Sequence, residues 1–416
     1  MSTVLVWSIA LGAIAGVLFR PKEWPEALWA CLGAALLVVC RLIPLRSAGA
    51  AIAKGADVYL FLAGMMILAE LARQKGVFDW LAGVAVGASR GSQARLFTLV
   101  YGAGILVTVF LSNDATAVVL TPAVYAAVKH ARSKPLPYLL VCAFIANAAS
   151  FVLPISNPAN LVVYGKDLPP LGPWLRIFLL PSLLSIAATY LALRAITRND
   201  IHGRVEDGRE RPRLTTEGRR AAWGILGAGA VLLCASGLGF DLGVPTCVSA
   251  AIAVLIASRA QPAVVLKLVK HVSWSVLPLV AGLFVIVEAL NGAGASHNIA
   301  FLFAQCAAWP PLAGALASSF GIAALSNLMN NLPSGLMAGI ALQSFPAPPH
   351  IRDAILVGVD LGPNLSITGS LATILWLITL RREGEQISGW RFLKVGLLVM
   401  PPALLLATTA VALLSR

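Results

Sequence analysis

The sequence predicts an all-α polytopic membrane protein whose two halves each carry a helix broken at membrane depth. Three observations carry this. Hydrophobic residues make up 58% of the 416 and charged residues 12%, with a mean hydropathy of +0.84. A soluble domain carries about 25% charged residues. Apolar runs recur along the chain and allow roughly ten to twelve spans of about 20 residues. The stretch from Ile145 to Val163 is apolar enough to lie at membrane depth, yet it contains Pro154, Ser156, Asn157, Pro158 and Asn160. Two prolines four apart delete backbone donors and disfavour the helical region before them, so the helix should break near 154–158. Broken backbone in a bilayer is tolerated only where protein buries it or a polar cavity hydrates it. It marks either a transporter's substrate site or a structural proline kink.

Taken in order, spans are expected at about 3–18, 27–45 and 56–72. Residues 77–90 are short and carry Trp80, which suits a helix lying in the interface. Two short apolar arms follow, about 95–111 and 115–128, around the polar tip Ser112-Asn113-Asp114, so a re-entrant hairpin (95–128) is expected. The broken span occupies about 137–165 and a further span about 172–196. Residues 197–220 hold seven arginines against five acids and form a hydrophilic linker. The second half, 221–416, repeats the order. It has spans at about 221–238, 244–260 and 274–290, hairpin arms at 310–326 and 332–343, a broken span at 354–380 and a last span at 393–414. Ala63-Gly64, Glu70 and Gly76 recur as Ala281-Gly282, Glu288 and Gly294, and Asn113 and Thr116 as Asn331 and Ser334. A slightly smaller shift places Asn147 on Asp360.

Five spans and one hairpin per half make the halves, 1–196 and 221–416, inverted with respect to each other. With the linker in the cytoplasm, 24 of the 31 basic residues fall on that side and seven on the other. That asymmetry orients the chain with both termini outside. It also explains the net charge of +13 without nucleic acid. The first apolar run reads as a span rather than a cleaved leader. The six cysteines lack CxxC spacing and read as small buried hydrophobes.

Four polar elements fall at membrane depth: the tips Ser112-Asn113-Asp114 and Asn327/Asn330-Asn331, and the breaks 154–160 and 360–370. Ser112, Asn113, Thr116, Asn147, Ser156, Asn157, Asn330, Asn331, Asn364, Thr368 and Ser370 are the candidate substrate contacts. Together they would form one midplane pocket of amides and hydroxyls, suited to a small neutral polyhydroxy solute. Asp114 and Asp360 are the acids expected at that pocket. Burial disfavours a charged carboxyl, so such a group by default marks a proton path. The plainer alternative is that each holds a helix end. Glu70 and Glu288 are expected in structural roles at the domain interface. The histidines at 130, 202, 271, 297 and 350 fall in loops or at span ends and offer no metal cluster, and no cofactor is expected.

Several of these segments match a family. Ser112-Asn113-Asp114-Ala-Thr-Ala-Val-Val-Leu-Thr-Pro122 is one. Phe144-Ile-Ala-Asn-Ala-Ala-Ser150 with Ser156-Asn157 is another. Met329-Asn-Asn-Leu-Pro333, Asp360-Leu-Gly-Pro363, Gly369-Ser-Leu-Ala-Thr-Ile-Leu-Trp376 and Gly76-Val-Phe-Asp-Trp80 complete the set. Over nearly the whole chain it resembles the ArsB-type arsenite efflux permeases of the ion transporter superfamily. The resemblance implies export of As(III) and Sb(III) driven by proton entry, across a bacterial-type cytoplasmic membrane. It also implies scaffold and transport subdomains in each half, and a cytoplasmic arsenical pump ATPase that partners some relatives. Asn147 stands where the family usually has an aspartate and Asn364 where it has a lysine. Losing both members of a pair keeps the charge balanced and places the weight on Asp114 and Asp360.

The chemistry agrees with this. Arsenous acid is uncharged near neutrality, so a potential alone cannot expel it, and a carrier that must release soft As(III) is better served by hydroxyls and amides than by thiolates. Other readings stay open. Another carrier of the superfamily would exchange sodium for protons, or anions. The dicarboxylate branch uses Ser-Asn-Thr in each half, where this chain has Ser156-Asn157-Pro158 and Gly369-Ser370-Leu371. An intramembrane aspartyl protease would want Gly-x-Gly-Asp, where this chain reads Gly358-Val-Asp360-Leu. A passive channel would need no coupling.

Overall fold

The structure, a computed structural model, describes residues 2–205, 213–345 and 347–415. Linker residues 206–212, with Arg209 and Arg211, and the terminal Arg416 lie outside the described residues. The first half contains α1 (Ser2–Phe19), α2 (Glu26–Val39), α3 (Leu45–Lys54), α4 (Ala56–Gln74), α5 (Val77–Ala88) and α6 (Gln93–Phe110). The short α7 (Asn113–Ala115) runs through a π turn into α8 (Thr121–His130), and α9 (Leu136–Ala148), α10 (Pro158–Tyr164) and α11 (Leu171–Ile196) follow. The second half opens with α12 (Thr216–Gly237), α13 (Gly243–Ser258), α14 (Pro262–His271), α15 (Val276–Gly292) and α16 (Ala295–Ala307). It closes with α17 (Pro311–Met329), α18 (Asn331–Ser344), α19 (Pro349–Leu361), α20 (Leu371–Arg382) and α21 (Gly389–Leu414). No strand forms among the described residues; one isolated bridge joins Ser92 and Arg204. The all-α polytopic architecture stands.

The helices start where capping chemistry allows. Ser92, Thr215 and Ser388 accept the Arg95, Gly218 and Arg391 amides at the N-termini of α6, α12 and α21. Gly76 and Gly294, at φ 69° and 89°, turn the chain from α4 into α5 and from α15 into α16. Only glycine adopts that conformation without a Cβ penalty.

Three expectations need correction. Among the described residues, five helices are long and apolar enough to cross a membrane, or up to seven if each bent pair is one span. Several others, such as the 14-residue α2, reach only about 21 Å at 1.5 Å per residue. The spans expected at 56–72 and 274–290 are preceded by separate helices, α3 and α14, at bends of 49° and 42°. The first hairpin arms are full-length, 18 residues in α6 and 19 in α17. One helix that the apolar pattern did not single out, α16, follows Gly294 as α5 follows Gly76.

Contacts are exchanged reciprocally between the halves. α2 packs along α15, and α13 packs along α4. Gly64 and Gly282 make those crossings close. A Cβ on Gly64 would stand 2.7 Å from the Thr246 backbone of α13, and one on Gly282 2.8 Å from the Ala30 backbone of α2. The two glycines are the residues matched by the repeat. The long α11 and α21 pack along each other, and buried aliphatic side chains from both halves form one continuous core. Of the cysteines only Cys142 is buried; Cys31, Cys40 and Cys234 are exposed. A helix face turned to lipid is as apolar as a core, so hydropathy did not separate the two.

Candidate functional site

The first break is wider than its prolines suggest. α9 stops at Ala148, six residues before Pro154, and α10 begins at Pro158. Proline at 154 has no N–H to offer the Ser150 carbonyl four residues back. The Asn160 side chain supplies the donor instead, its Nδ2 lying 3.0 Å from the Ser150 carbonyl, 3.3 Å from that of Leu153 and 3.2 Å from that of Pro154. Asn157 caps α10 by accepting the Ala159 amide at 3.0 Å. The second break, between Leu361 and Leu371, is two short 3-10 turns, and Ser370 caps α20 by accepting the Thr373 amide at 3.1 Å. Asn157 and Ser370 are the pair matched by the repeat.

The two breaks are stitched together. Asp360, fully buried, accepts from Ser150 Oγ at 2.8 Å and from Asn157 Nδ2 at 2.9 Å. Asn147 Nδ2 donates to Asn364 Oδ1 at 3.0 Å and lies 3.4 Å from Thr373 Oγ1. Asn364 Nδ2 in turn donates to the Phe144 carbonyl at 2.9 Å. A charge on one of these two asparagines alone would be buried and uncompensated. The amide pair avoids this.

The hairpin tips repeat one construction. Thr108 Oγ1 and Thr116 Oγ1 are 2.8 Å apart in the first, Ser326 Oγ and Ser334 Oγ 2.8 Å apart in the second. Ser112 accepts the Ala115 amide and Asn330 the Leu332 amide. Asn113 is buried, with Oδ1 accepting the Asp114 amide at 2.9 Å, and Asn331 is buried at the start of α18. Asn330, at φ 80° and ψ 151°, holds a conformation that costs a non-glycine residue about 1–3 kcal/mol.

The predicted residues do not share one pocket. A cavity of about 260 Å³ is lined at one end by Ser112, Asp114 and Pro158, and at the other by Arg20, Glu26, Glu70, Arg73, His271 and Arg382. Its walls between are apolar, from Phe61, Leu62 and Met65 of α4 and Leu371, Leu375 and Ile378 of α20. Ser112 and Asp114 are the predicted residues that line it. Asn330 borders a separate void of about 20 Å³. Asn147, Asn157, Asn364 and Asp360 belong to the buried stitching, and Ser370 meets it through Thr373. Ser156 donates to the Val109 carbonyl at 3.1 Å, and Thr116 is in its hydroxyl pair. Thr368 donates to the Asn327 carbonyl at 2.9 Å, beside Ser366.

Sequence reasoning missed the cavity's charged rim. Arg20 pairs with Glu26 at 3.0 Å and Arg73 with Glu70 at 2.6 Å, while Arg382 makes no ion pair among the described residues. Glu70 and Arg73, three apart on one helix, were a readable signal. Arg20, 53 positions from Arg73, was not. It also missed Asp353, buried on α19, which accepts from Tyr164 Oη at 2.6 Å and Ser415 Oγ at 2.8 Å with Arg352 at 3.2 Å. This cluster ties the end of α10 to the start of α19 and the end of α21.

The comparisons with known proteins agree with this architecture. A family model described as Citrate transporter (CitMHS) matches residues 13–359. The chain belongs to the CitMHS family. As a member of this family it is a polytopic membrane transporter rather than an enzyme. Its relatives include proteins named Arsenical pump membrane protein. The one from Escherichia coli is 26% identical over 99% of this chain and 98% of its own length. The one from Yersinia enterocolitica is 28% identical over 84% of each. Both fit the resemblance drawn from the motifs. In three dimensions the chain is similar to the YdaH transporter of Alcanivorax borkumensis, with a TM-score of 0.57, 16% identity, and coverage of 94% of this chain and 96% of that one.

Removal of Asn160 should be costly for this family member. Asn160→Ala leaves the Ser150 and Pro154 carbonyls without the Nδ2 donor, while the Leu153 carbonyl keeps the Ser156 amide, at about 1–3 kcal/mol for each unsatisfied group. A clearly lowered unfolding temperature in detergent is the expected result, and an unchanged one would show that the break is held by other means.

Proposed function

We propose that the chain exports As(III) and Sb(III) from the cytoplasm by proton antiport, with the substrate bound at the Ser112–Asp114 end of the 260 Å³ cavity. The observation that carries the reading is the make-up of that end. It offers the Ser112 hydroxyl and the Asp114 carboxyl, and none of the six cysteines lines it. Asp114 makes no ion pair among the described residues. An unpaired carboxyl in contact with a cavity can gain and lose a proton as the cavity changes sides. Asp360 was expected to share this role. Its oxygens face Ser150 and Asn157, so we assign it to holding the breaks in register.

In this reading the halves 1–196 and 221–416 are inverted repeats joined by a cytoplasmic linker, and both termini lie outside. Pairing of linker residues with one end of the bundle supports the sidedness. Lys75, at the same end of α4 as Arg73, meets Glu217 at 2.6 Å, and Lys134, between α8 and α9, meets Asp200 at 3.2 Å. The cavity rim therefore faces the cytoplasm, where an arsenical pump ATPase would have access to it. The hydroxyl clasps and reciprocal glycine crossings support the repeat.

The test is arsenite uptake into everted vesicles. Acidifying the lumen should drive accumulation, a protonophore should collapse it, and a chain with all six cysteines replaced should retain at least half of it. Accumulation driven by sodium, or lost with the cysteines, would overturn the reading. One observation favours a carboxylate instead: Arg382 lines the cavity and makes no ion pair among the described residues. Citrate-driven exchange in the same vesicles would select that alternative.

A further inference from the structure

A second cavity, of about 920 Å³, has no role in the reading above. It is lined by Asp57 and Val58 at the start of α4, whereas Glu70 and Arg73 at the end of the same helix line the first cavity. The two cavities thus sit at opposite ends of a helix that covers about 24 Å between residues 57 and 73 at 1.5 Å per residue.

They nearly meet. On α4, Val58 lines the second cavity and Phe61 and Leu62 the first. On α10, Leu161 lines the second and Pro158 the first; on α15, Phe284 lines the second and Leu279 the first. Three to five helical residues, about 5–8 Å, separate the cavities on three independent walls. The side chains that face each other across this gap are apolar and packed: Phe61 and Leu62 on the first cavity's side, Leu161 on the second's and Leu283 beside the small void are each no more than 5% exposed. The void of about 20 Å³ beside Leu279 and Leu283 has room for about one water.

We infer that the 920 Å³ cavity is the exit vestibule of the same transport path, and that Phe61, Leu62, Leu161 and Leu283 form the seal between the two sides. The inference rests on the chain being a transporter and not on which solute it carries. A polar solute, or a proton moving along water, needs hydrogen-bonding partners throughout its passage, and an apolar constriction that excludes water denies them. Because the layer is thin compared with a hydrocarbon core of about 30 Å, enlarging it by one or two side chains would join the cavities by water. The carrier would then become a passive pore.

The experiment uses the purified full chain in liposomes loaded with a pH dye, with a potassium diffusion potential as the driving force and no arsenite present. Phe61→Ala combined with Leu62→Ala should raise proton permeability at least tenfold over the unsubstituted chain. Leu161→Ser should do the same at a second wall. Phe61→Leu, which keeps the layer apolar and filled, should stay tight, as should Leu106→Ala on an exposed face of α6. Size-exclusion profiles establish that the variants are folded. A folded Leu161→Ser or double variant as tight as the unsubstituted chain would overturn the seal. Failure of the arsenite assay with these leaks present would count against the cargo alone, and working arsenite transport without the leaks would count against the seal alone.

Discussion

Replacing Asp114 with Asn is expected to abolish pH-driven accumulation of arsenite in everted vesicles while leaving the protein folded. The carboxyl lines the cavity and forms no ion pair among the described residues, so the amide removes the exchangeable proton and little packing. One charge falling through 100 mV releases about 2.3 kcal/mol, which supports a gradient of roughly fifty-fold. The variant should therefore fall from a gradient of that order to simple equilibration, the level that a protonophore imposes on the unsubstituted chain. Uptake down a pre-set arsenite gradient should persist at reduced rate. Accumulation that still follows the lumenal pH in Asp114→Asn would remove this residue from the coupling.

Asp360 should behave in the opposite way. Asp360→Ala strands the Ser150 hydroxyl and the Asn157 amide inside the protein, at about 1–3 kcal/mol for each unsatisfied group and more where the lost acceptor was charged. The unfolding transition in detergent should drop by on the order of 10 °C, and transport should disappear with the fold. Asp360→Asn keeps one acceptor oxygen, and the Ser150 hydroxyl can rotate to accept from the new amide. That variant should recover most of the stability and retain a pH dependence like the parent's. If Asp360→Asn is instead stable and uncoupled, the proton resides at 360 and the roles of the two acids are exchanged.

The elements that sequence located well are those written in local chemistry. Gly362-Pro363 falls in the second break, and Ser112-Asn113-Asp114 marks a tip between apolar arms. The first break was placed at its prolines, although α9 ends at Ala148. The residue that permits an early stop is Asn160, and its three carbonyl contacts could not be read from spacing. The bends before α4 and α15 were missed for a similar reason, since apolar composition runs through them unchanged. The candidate site was legible as a set of residue types and not as a geometry. Asn147 and Asn364 lie 217 positions apart, so nothing in either segment announced that their amides touch. A single midplane pocket was the natural guess from four polar segments at equal depth. The structure divides them between a cavity and a buried stitch, because most of the polar groups satisfy one another.

The matching hairpins are not equal. The residue that corresponds to Asp114 in the second half is Leu332, which borders the one-water void rather than the cavity. The position that the sequence correspondence pairs with Asp114 therefore holds no ionisable group. Under the proposed mechanism, a single titrating station would gear each turnover to one hydrogen ion per solute molecule. That would set a thermodynamic ceiling on how far the cell interior can be depleted. Placing an acid at 332 would be the route to a steeper pump, at the cost of a second charge to bury.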